Sequence, residues 1–327
     1  VNTVAVEHGD AHQGSLLAGP GPAAPVPAEL AGPLDRVPEL AGTPRTVTEL
    51  PGGLTNRNYK VSTPAGAFVV RIWSGGGDYL AINRDHEHHN SVAAAQAGVG
   101  APVVAYRPED RMLVLGYIDG RTFGNSDVQA PANIPRIAEA CRRLHSGPRF
   151  AGDFDMFVIQ GRYAAVTAEL GFRVPAGYDG LMPQMEAARR ALAVRAAPTV
   201  PCNNDLLAAN FIDDGSRIWL IDYEYAGNND ACFELGNIWG ECGLSADALA
   251  DLVAAYYGRT LRNKVARAML LGMVGKYGWT LWGAIQAATS PIEFDFWSWA
   301  MERYEGAVAG FTGPDFPRLL DDVQRDG

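Results

Sequence analysis

The sequence is poor in positive charge. Its 27 lysines and arginines stand against 37 aspartates and glutamates, a formal net charge of -10 over 327 residues. No basic face could dominate such a balance, which excludes a general nucleic-acid binder. Cysteine is scarce too. Cys141, Cys202, Cys232 and Cys242 form no CxxC pair and no regular framework, so they read as reduced thiols rather than as a disulfide scaffold. No run of 18 apolar residues occurs, and the sequence therefore predicts no membrane insertion. The basic start and apolar stretch of a secretory signal are lacking as well, so the cytoplasm is the expected compartment.

What is present is enough hydrophobic residue, 47%, to bury a sizeable core in two domains or two lobes. Residues 1–42 are rich in Ala, Gly and Pro and read as an extended, flexible tail or a surface clamp, with room for a short helical turn within 28–40. Strand patterns begin at Thr46. Thr46 to Leu50, Asn58 to Ser62 and Phe68 to Trp73 are separated by the glycine turn Pro51-Gly52-Gly53 and the turn Pro64-Ala65-Gly66. On the third strand Phe68, Val70 and Ile72 share one face, and Val69, Arg71 and Trp73 the other. A helix over about 84–97 and strands over Val103 to Arg107 and Met112 to Ile118 follow.

From Asn133 the period turns helical: Ile134, Ile137, Ala138, Cys141 and Leu144 fall on one stripe. Further helices are predicted over about 155–170, 180–196, 232–241, 245–258, 260–289 and 296–310, interrupted by a strand pair around Asn210 to Asp222. The fold class is α+β. A small antiparallel lobe with one helix, residues 43–118, precedes a larger and mostly helical lobe, residues 119–327, the two joined near Tyr117 to Gly120.

The strongest chemical signal is Asn203-Asn204-Asp205 through Asn210, followed by Ile221-Asp222-Tyr223-Glu224. Phosphoryl transfer needs a carboxylate to orient the attacking hydroxyl and oxygen ligands to hold magnesium on the phosphates. An Asp followed five residues later by Asn has the spacing of a kinase-type catalytic loop. Asp214-Gly215 is a hairpin signal, and the midpoint of 210 and 222 falls at 216, so Asn210 and Asp222 are expected to face each other across that hairpin. Taken singly, each is an ordinary turn residue. The glycine loop is not a P-loop, because no Gly-Lys-Ser/Thr follows it. His86-Glu87-His88-His89 fails the zinc-protease pattern, since position 90 is Asn90, and reads as a solvated helix face.

Residues from about 50 to 310 resemble the choline kinase branch of the aminoglycoside-phosphotransferase-like enzymes, which share the protein-kinase-like fold. The resemblance rests on Cys202-Asn203-Asn204-Asp205 through Asn210, on Ile221-Asp222-Tyr223-Glu224-Tyr225 and on the stretch Trp279 to Arg303. It implies a bilobal fold with ATP and Mg2+ as cofactors, Asp205 as the catalytic base, and Asn210 and Asp222 as metal ligands. Gly52, Gly53, Leu54, Thr55 and Asn56 resemble the family's nucleotide loop. Arg71 falls where its phosphate-contacting basic residue sits and Glu87 where the helix partner sits, with the nucleotide base expected against Tyr117 and Ile118. Position 203, usually His in that family, is Asn203 here. An amide can donate and accept comparable hydrogen bonds, so a working enzyme with an altered brace is expected, a pseudoenzyme being the alternative.

The resemblance also places Trp279, Trp282, Phe294 and Trp299 at a choline pocket, with Glu241 supplying negative charge. Trp279 and Trp282 are three apart and share a helix face. Aromatic faces suit a quaternary ammonium, which has no N–H to donate; at helical spacing the same rings could equally be core. Choline is the acceptor named first, with ethanolamine, an aminoglycoside or another amino sugar as alternatives, and a non-catalytic nucleotide or choline binder as the reading from another class.

Overall fold

The computed structural model describes residues 26–73 and 79–326. The amino-terminal lobe contains helix α1 (Ala28–Asp35), strands β1 (Thr46–Leu50), β2 (Asn56–Thr63) and β3 (Gly66–Trp73), helix α2 (Arg84–Gln96), and strands β4 (Val103–Arg107) and β5 (Met112–Gly116). The strands form one antiparallel sheet in the order β1-β2-β3-β5-β4. As the alternation on β3 predicts, its two faces part company. Val70 is buried with Phe68 and Ile72 packed around it, while Arg71, also buried, emerges on the opposite face.

The apolar face is covered by residues assigned above to a tail. Leu30, Leu34, Val37 and Leu40 are buried against Val47, Tyr59, Val61, Val70, Met112 and Val114. Arg45 fastens this segment by donating to the carbonyls of Leu40 and Ala31, at 2.8 and 3.3 Å, and by pairing with Asp35. The prolines concealed it. Pro27 stands just before the helix, where a missing N–H costs nothing, and Pro33 lies within it. Residues 26–42 thus belong to the lobe, and residues 1–25 of the expected tail lie outside the described residues. Leu34→Ala should destabilise the protein by about 2–4 kcal/mol, as for other fully buried leucines. Urea denaturation measures it, and an unmoved midpoint would detach the segment from the sheet.

The carboxy-terminal lobe runs through β6 (Arg121–Thr122), α3 (Asn125–Gln129), α4 (Ile134–His145), α5 (Met156–Glu169), α6 (Met182–Val194), β7 (Thr199–Cys202), β8 (Phe211–Asp213), β9 (Ile218–Leu220) and β10 (Gly227–Asp230). It closes with α7 (Ala231–Cys242), α8 (Ala246–Tyr257), α9 (Arg262–Thr289), α10 (Phe296–Thr312) and α11 (Phe316–Asp322). Helix α9 is apolar almost all round and is buried along most of its 28 residues, with α7 and α10 packed on it. At the α7–α9 crossing a Cβ on Gly236 would lie 2.1 Å from the Ala268 carbonyl oxygen, so only glycine permits that approach. Among the described residues no helix is long and apolar enough to cross a membrane.

Candidate active site

Strand β7 ends at Cys202 and releases a loop that is held from beneath by one carboxylate. Glu234, fully buried on α7, accepts from the Asn203 and Asn204 amides at 2.8 and 2.7 Å, one on each oxygen. Asn204 stands at φ +68°, a left-handed conformation that Asn tolerates better than most residues, and its side chain donates to the Tyr225 carbonyl at 3.0 Å and accepts from Asn229 at 2.9 Å. Behind Glu234 lies His145, its Nε2 3.5 Å from Oε1 and its Nδ1 2.7 Å from the Tyr256 hydroxyl.

Asn203 supplies the brace from the other side. Its Nδ2 donates to the carbonyls of Ile221 and Asp222, at 3.0 and 2.8 Å, and its Oδ1 accepts from the Asp205 amide at 3.1 Å. One buried amide thus ties the loop carrying Asp205 to the strand end carrying Asp222. Asn210 closes the same loop, Nδ2 donating to the Asp205 carbonyl at 2.6 Å. The β8–β9 register pairs Phe211 with Leu220, and the Ile221 amide donates to the Asn210 carbonyl. Asn210 therefore faces Ile221, not Asp222 as the midpoint argument predicts; the register sits one residue away. Asp222 follows directly, at φ +66°, and that turn of the backbone carries its carboxylate into the cleft.

Across the cleft, Arg71 Nη1 donates to Glu87 Oε1 and to Asp222 Oδ1, both at 2.7 Å, and Nε donates to Asn58 at 3.2 Å. Burial alone would lower its pKa, but Asp222, Glu87 and Glu224 outweigh that and raise it, so Arg71 stays charged. The Arg71–Glu87 pair expected from β3 and α2 is thus present in space. Glu87 is buried, contrary to its place in the solvated face read into residues 86–89, because Arg71 and Arg84 (2.6 Å) meet its charge.

The glycine loop is tied down by a residue that the sequence reading did not single out. Glu224 accepts from Thr55 Oγ1 at 2.7 Å and from Asn56 Nδ2 at 2.9 Å, with Arg84 at 3.3 Å. Burial, with Asp222 adding repulsion, raises the Glu224 carboxyl to about 7. Gln286 on α9 donates to the Leu54 carbonyl at 2.8 Å. Gly53 is dictated by the turn itself, since a Cβ there would sit 2.0 Å from the Asn56 carbonyl oxygen; Gly52 takes φ +97°. Tyr117 and Ile118 are half-buried at the connection between the lobes, Tyr117 beneath the Lys60 ammonium at 3.8 Å.

Asp205 is half-buried, and its pKa is pushed well above the ordinary carboxylate value by burial and then by Asp222, Glu241 and Glu224, with Arg303 opposing. Helices α9 and α10 carry an aromatic group. Trp282, buried, donates from Nε1 to the Tyr225 hydroxyl at 2.6 Å and packs on Trp299 and Phe296, centroids 5.0 and 5.9 Å away. Trp279, also buried, meets Tyr225 edge-on at 5.0 Å and lies 6.1 Å from Phe154. Phe294 packs on Phe296 at 4.9 Å. Glu241, expected to supply negative charge, is paired: Arg303 binds it at 2.5 Å and also covers the Trp299 ring.

The residues missed above are Glu224, Tyr225, Glu234, Arg84 and Arg303. Glu224 and Tyr225 lie inside the motif already quoted, so position beside Asp222 was the available signal. An acidic residue amid the apolar run Phe233-Glu234-Leu235 signals a buried carboxylate with a partner, but its partners are backbone amides about thirty residues upstream.

Residues 46–268 match the family model described as phosphotransferase enzyme family. The chain belongs to that family. A crystal structure of a choline/ethanolamine kinase family protein from Mesorhizobium loti superposes with a TM-score of 0.80 and 32% identity, covering 90% of this chain and 98% of that one. Ethanolamine kinase 2 of Mus musculus is 32% identical over 264 residues, 72% of this chain and 68% of that protein. Protein LicA of Haemophilus influenzae is 26% identical over 216 residues, covering 64% of this chain and 62% of that protein. A more distant likeness, the aminoglycoside 2'-phosphotransferase-IIIa at 12% identity and a TM-score of 0.62, shows the shared fold alone. Within the phosphotransferase family the chain falls on the choline/ethanolamine kinase branch, a small-molecule kinase with an alcohol hydroxyl as acceptor. The α+β, bilobal, protein-kinase-like architecture read from the sequence is the one observed.

Proposed function

We propose that the protein transfers a phosphoryl group from ATP, with magnesium, to the hydroxyl of choline or a close amino alcohol. The observation that carries this reading is the Tyr225 hydroxyl, which links Trp282 of the aromatic group to the strand end bearing Asp222. The aromatic surface that would receive the cation is thereby joined to the strand end that would carry the metal.

The residues present fit the groups the reading requires. Asn210 and Asp222 offer an amide and a carboxylate oxygen, the hard donors that magnesium takes. Magnesium-ATP, when bound, supplies the transferable phosphoryl group and neutralises its developing charge. Arg71, charged and fixed by Glu87, would hold phosphate oxygens. Asp205 would orient the acceptor hydroxyl and take its proton, and its raised pKa makes it a stronger base than an exposed aspartate. Asn203 completes the brace with three hydrogen bonds, which favours an active enzyme over a pseudoenzyme. A second acceptor reading, ethanolamine, is favoured by Arg303 lying over Trp299.

Purified protein with ATP and magnesium should release ADP and a phosphorylated product from choline or ethanolamine, measured across a panel that includes aminoglycosides. Turnover of aminoglycosides alone would move the acceptor class to amino sugars. Nucleotide binding without turnover of any acceptor would make the protein a non-catalytic binder.

A further inference from the structure

A pocket of about 340 Å³ opens between one face of α4 and the turn that joins β8 to β9. Its charge is opposite to that of the chain. Arg136, Arg142 and Arg143 line it from α4 and Arg217 from the turn, with Glu139 the one acidic residue among them, whereas the chain as a whole carries -10. The four arginine side chains are between 34% and 41% exposed, so none is consumed by burial. Their partners orient them without cancelling all of their charge. Arg136 is matched by Asp213 through two bonds, at 2.7 and 2.6 Å. Arg142 and Arg143, however, share Glu139, at 2.7 and 3.5 Å, and Arg142 is otherwise held by the neutral carbonyls of Ala255 and Tyr256. Arg217 lies over the Trp219 ring at 3.8 Å and donates to the Gly98 carbonyl at 3.2 Å. Asp214 is 3.9 Å from it, its oxygens already taken by Ser216, the Arg217 amide and Trp219 Nε1. Four guanidiniums therefore meet three carboxylates, and one positive charge is left unmatched.

We propose that this pocket is a second anion site, which takes a phosphate dianion, free or as the head of a small phosphate ester. Guanidinium forks bind phosphate oxygens in pairs, and side chains already held in place lose little freedom in doing so. Arg143 and Arg217 are the least neutralised of the four, one on each wall of the pocket. The volume lies at the lower end of the range for small-ligand pockets, roughly 300–1,000 Å³, enough for a phosphate with a short organic tail. An anion bound there ties α4 to the β8–β9 turn, which is the connection from Asn210 to Asp222. Occupancy therefore stabilises the hairpin on which the proposed metal ligands stand. None of the residues that line the pocket belongs to the proposed phosphoryl-transfer site, so binding here is independent of the kinase reading.

The test is isothermal titration with inorganic phosphate and with glycerol phosphate, run with and without saturating magnesium and a non-hydrolysable nucleotide. Nucleotide displaces phosphate from the cleft but not from the pocket. One site should remain under nucleotide, weakened about tenfold in Arg143→Gln and in Arg217→Gln, the worth of one charge-assisted bond, and less in Arg143→Lys. The same variants assign the site even where no nucleotide binds. Phosphate should also raise the parent's thermal midpoint above that in sodium chloride of equal ionic strength, and the rise should vanish when both arginines are glutamine. Arg143→Gln alone, on an exposed helix face, keeps the test open should loss of the Arg217–Trp219 contact unfold the turn. Tighter binding of glycerol phosphate assigns the pocket to an ester, and equal affinity assigns it to the free ion. Complete displacement by nucleotide, affinity unchanged in both glutamine variants, or a parent that binds no phosphate overturns the second site.

Discussion

Asp205→Asn should lower kcat by about 10²–10⁴-fold while leaving the affinity for magnesium nucleotide nearly unchanged. The reason is positional. The Asp205 backbone is fixed by Asn203 and Asn210 through its amide and carbonyl, so the substitution alters the carboxylate without loosening the loop. An amide at that position can still accept a hydrogen bond from the acceptor hydroxyl but cannot take its proton. Asp222→Asn should behave differently. It removes a charged oxygen from the proposed metal site and the partner 2.7 Å from Arg71, so magnesium-dependent nucleotide binding and turnover should fall together. Isothermal titration with a non-hydrolysable nucleotide, at fixed magnesium, separates the two. Equal nucleotide affinity in the parent and Asp222→Asn would remove Asp222 from the metal site, and full turnover by Asp205→Asn would remove Asp205 from the base position.

The amino-terminal sheet was legible because its signals are local. Each strand is a short β-branched or aromatic run bounded by glycine or proline, and the five observed strands begin within two residues of where those runs begin. That Asp205, Asn210 and Asp222 come together was legible from spacing, since they are close in sequence and one hairpin joins the last two. Sequence arithmetic could not settle that hairpin's register, because Asp213 and Asp214 both offer turn chemistry; the bonds that the Ser216 and Arg217 amides donate to the Asp214 carboxylate decide it. Strands β7 and β10 were invisible: Gly227-Asn228-Asn229-Asp230 has no strand propensity and is held by bonds such as Asn228 to the Phe150 carbonyl at 2.9 Å. The Arg303–Glu241 pair was invisible for another reason. Charged residues 62 positions apart carry no sequence sign that they meet, and either alone reads as a solvated helix residue.

Asn203→Ala should be the most costly single change behind the site, about 2–4 kcal/mol of stability with a large fall in kcat. The side chain is buried completely and makes three hydrogen bonds, two donated and one accepted. Alanine leaves the carbonyls of Ile221 and Asp222 and the amide of Asp205 without that partner, in a space too enclosed for each to be rehydrated at no cost. Those three groups belong to the two segments that carry Asp205 and Asp222, so the distance between proposed base and proposed metal ligand loses its tie. Glu234 still grips the Asn203 and Asn204 amides through the backbone, which keeps the loop folded and makes the variant measurable. Asn203→His supplies the sharper comparison. A neutral imidazole has one donor and one acceptor, so it can serve one carbonyl and the Asp205 amide but not both carbonyls. It should therefore fall between the parent and Asn203→Ala in thermal stability and in kcat, with the KM for ATP moving little in either variant. Parent-like stability and turnover in Asn203→Ala would mean that Glu234 alone fixes the loop and that the amide is no brace.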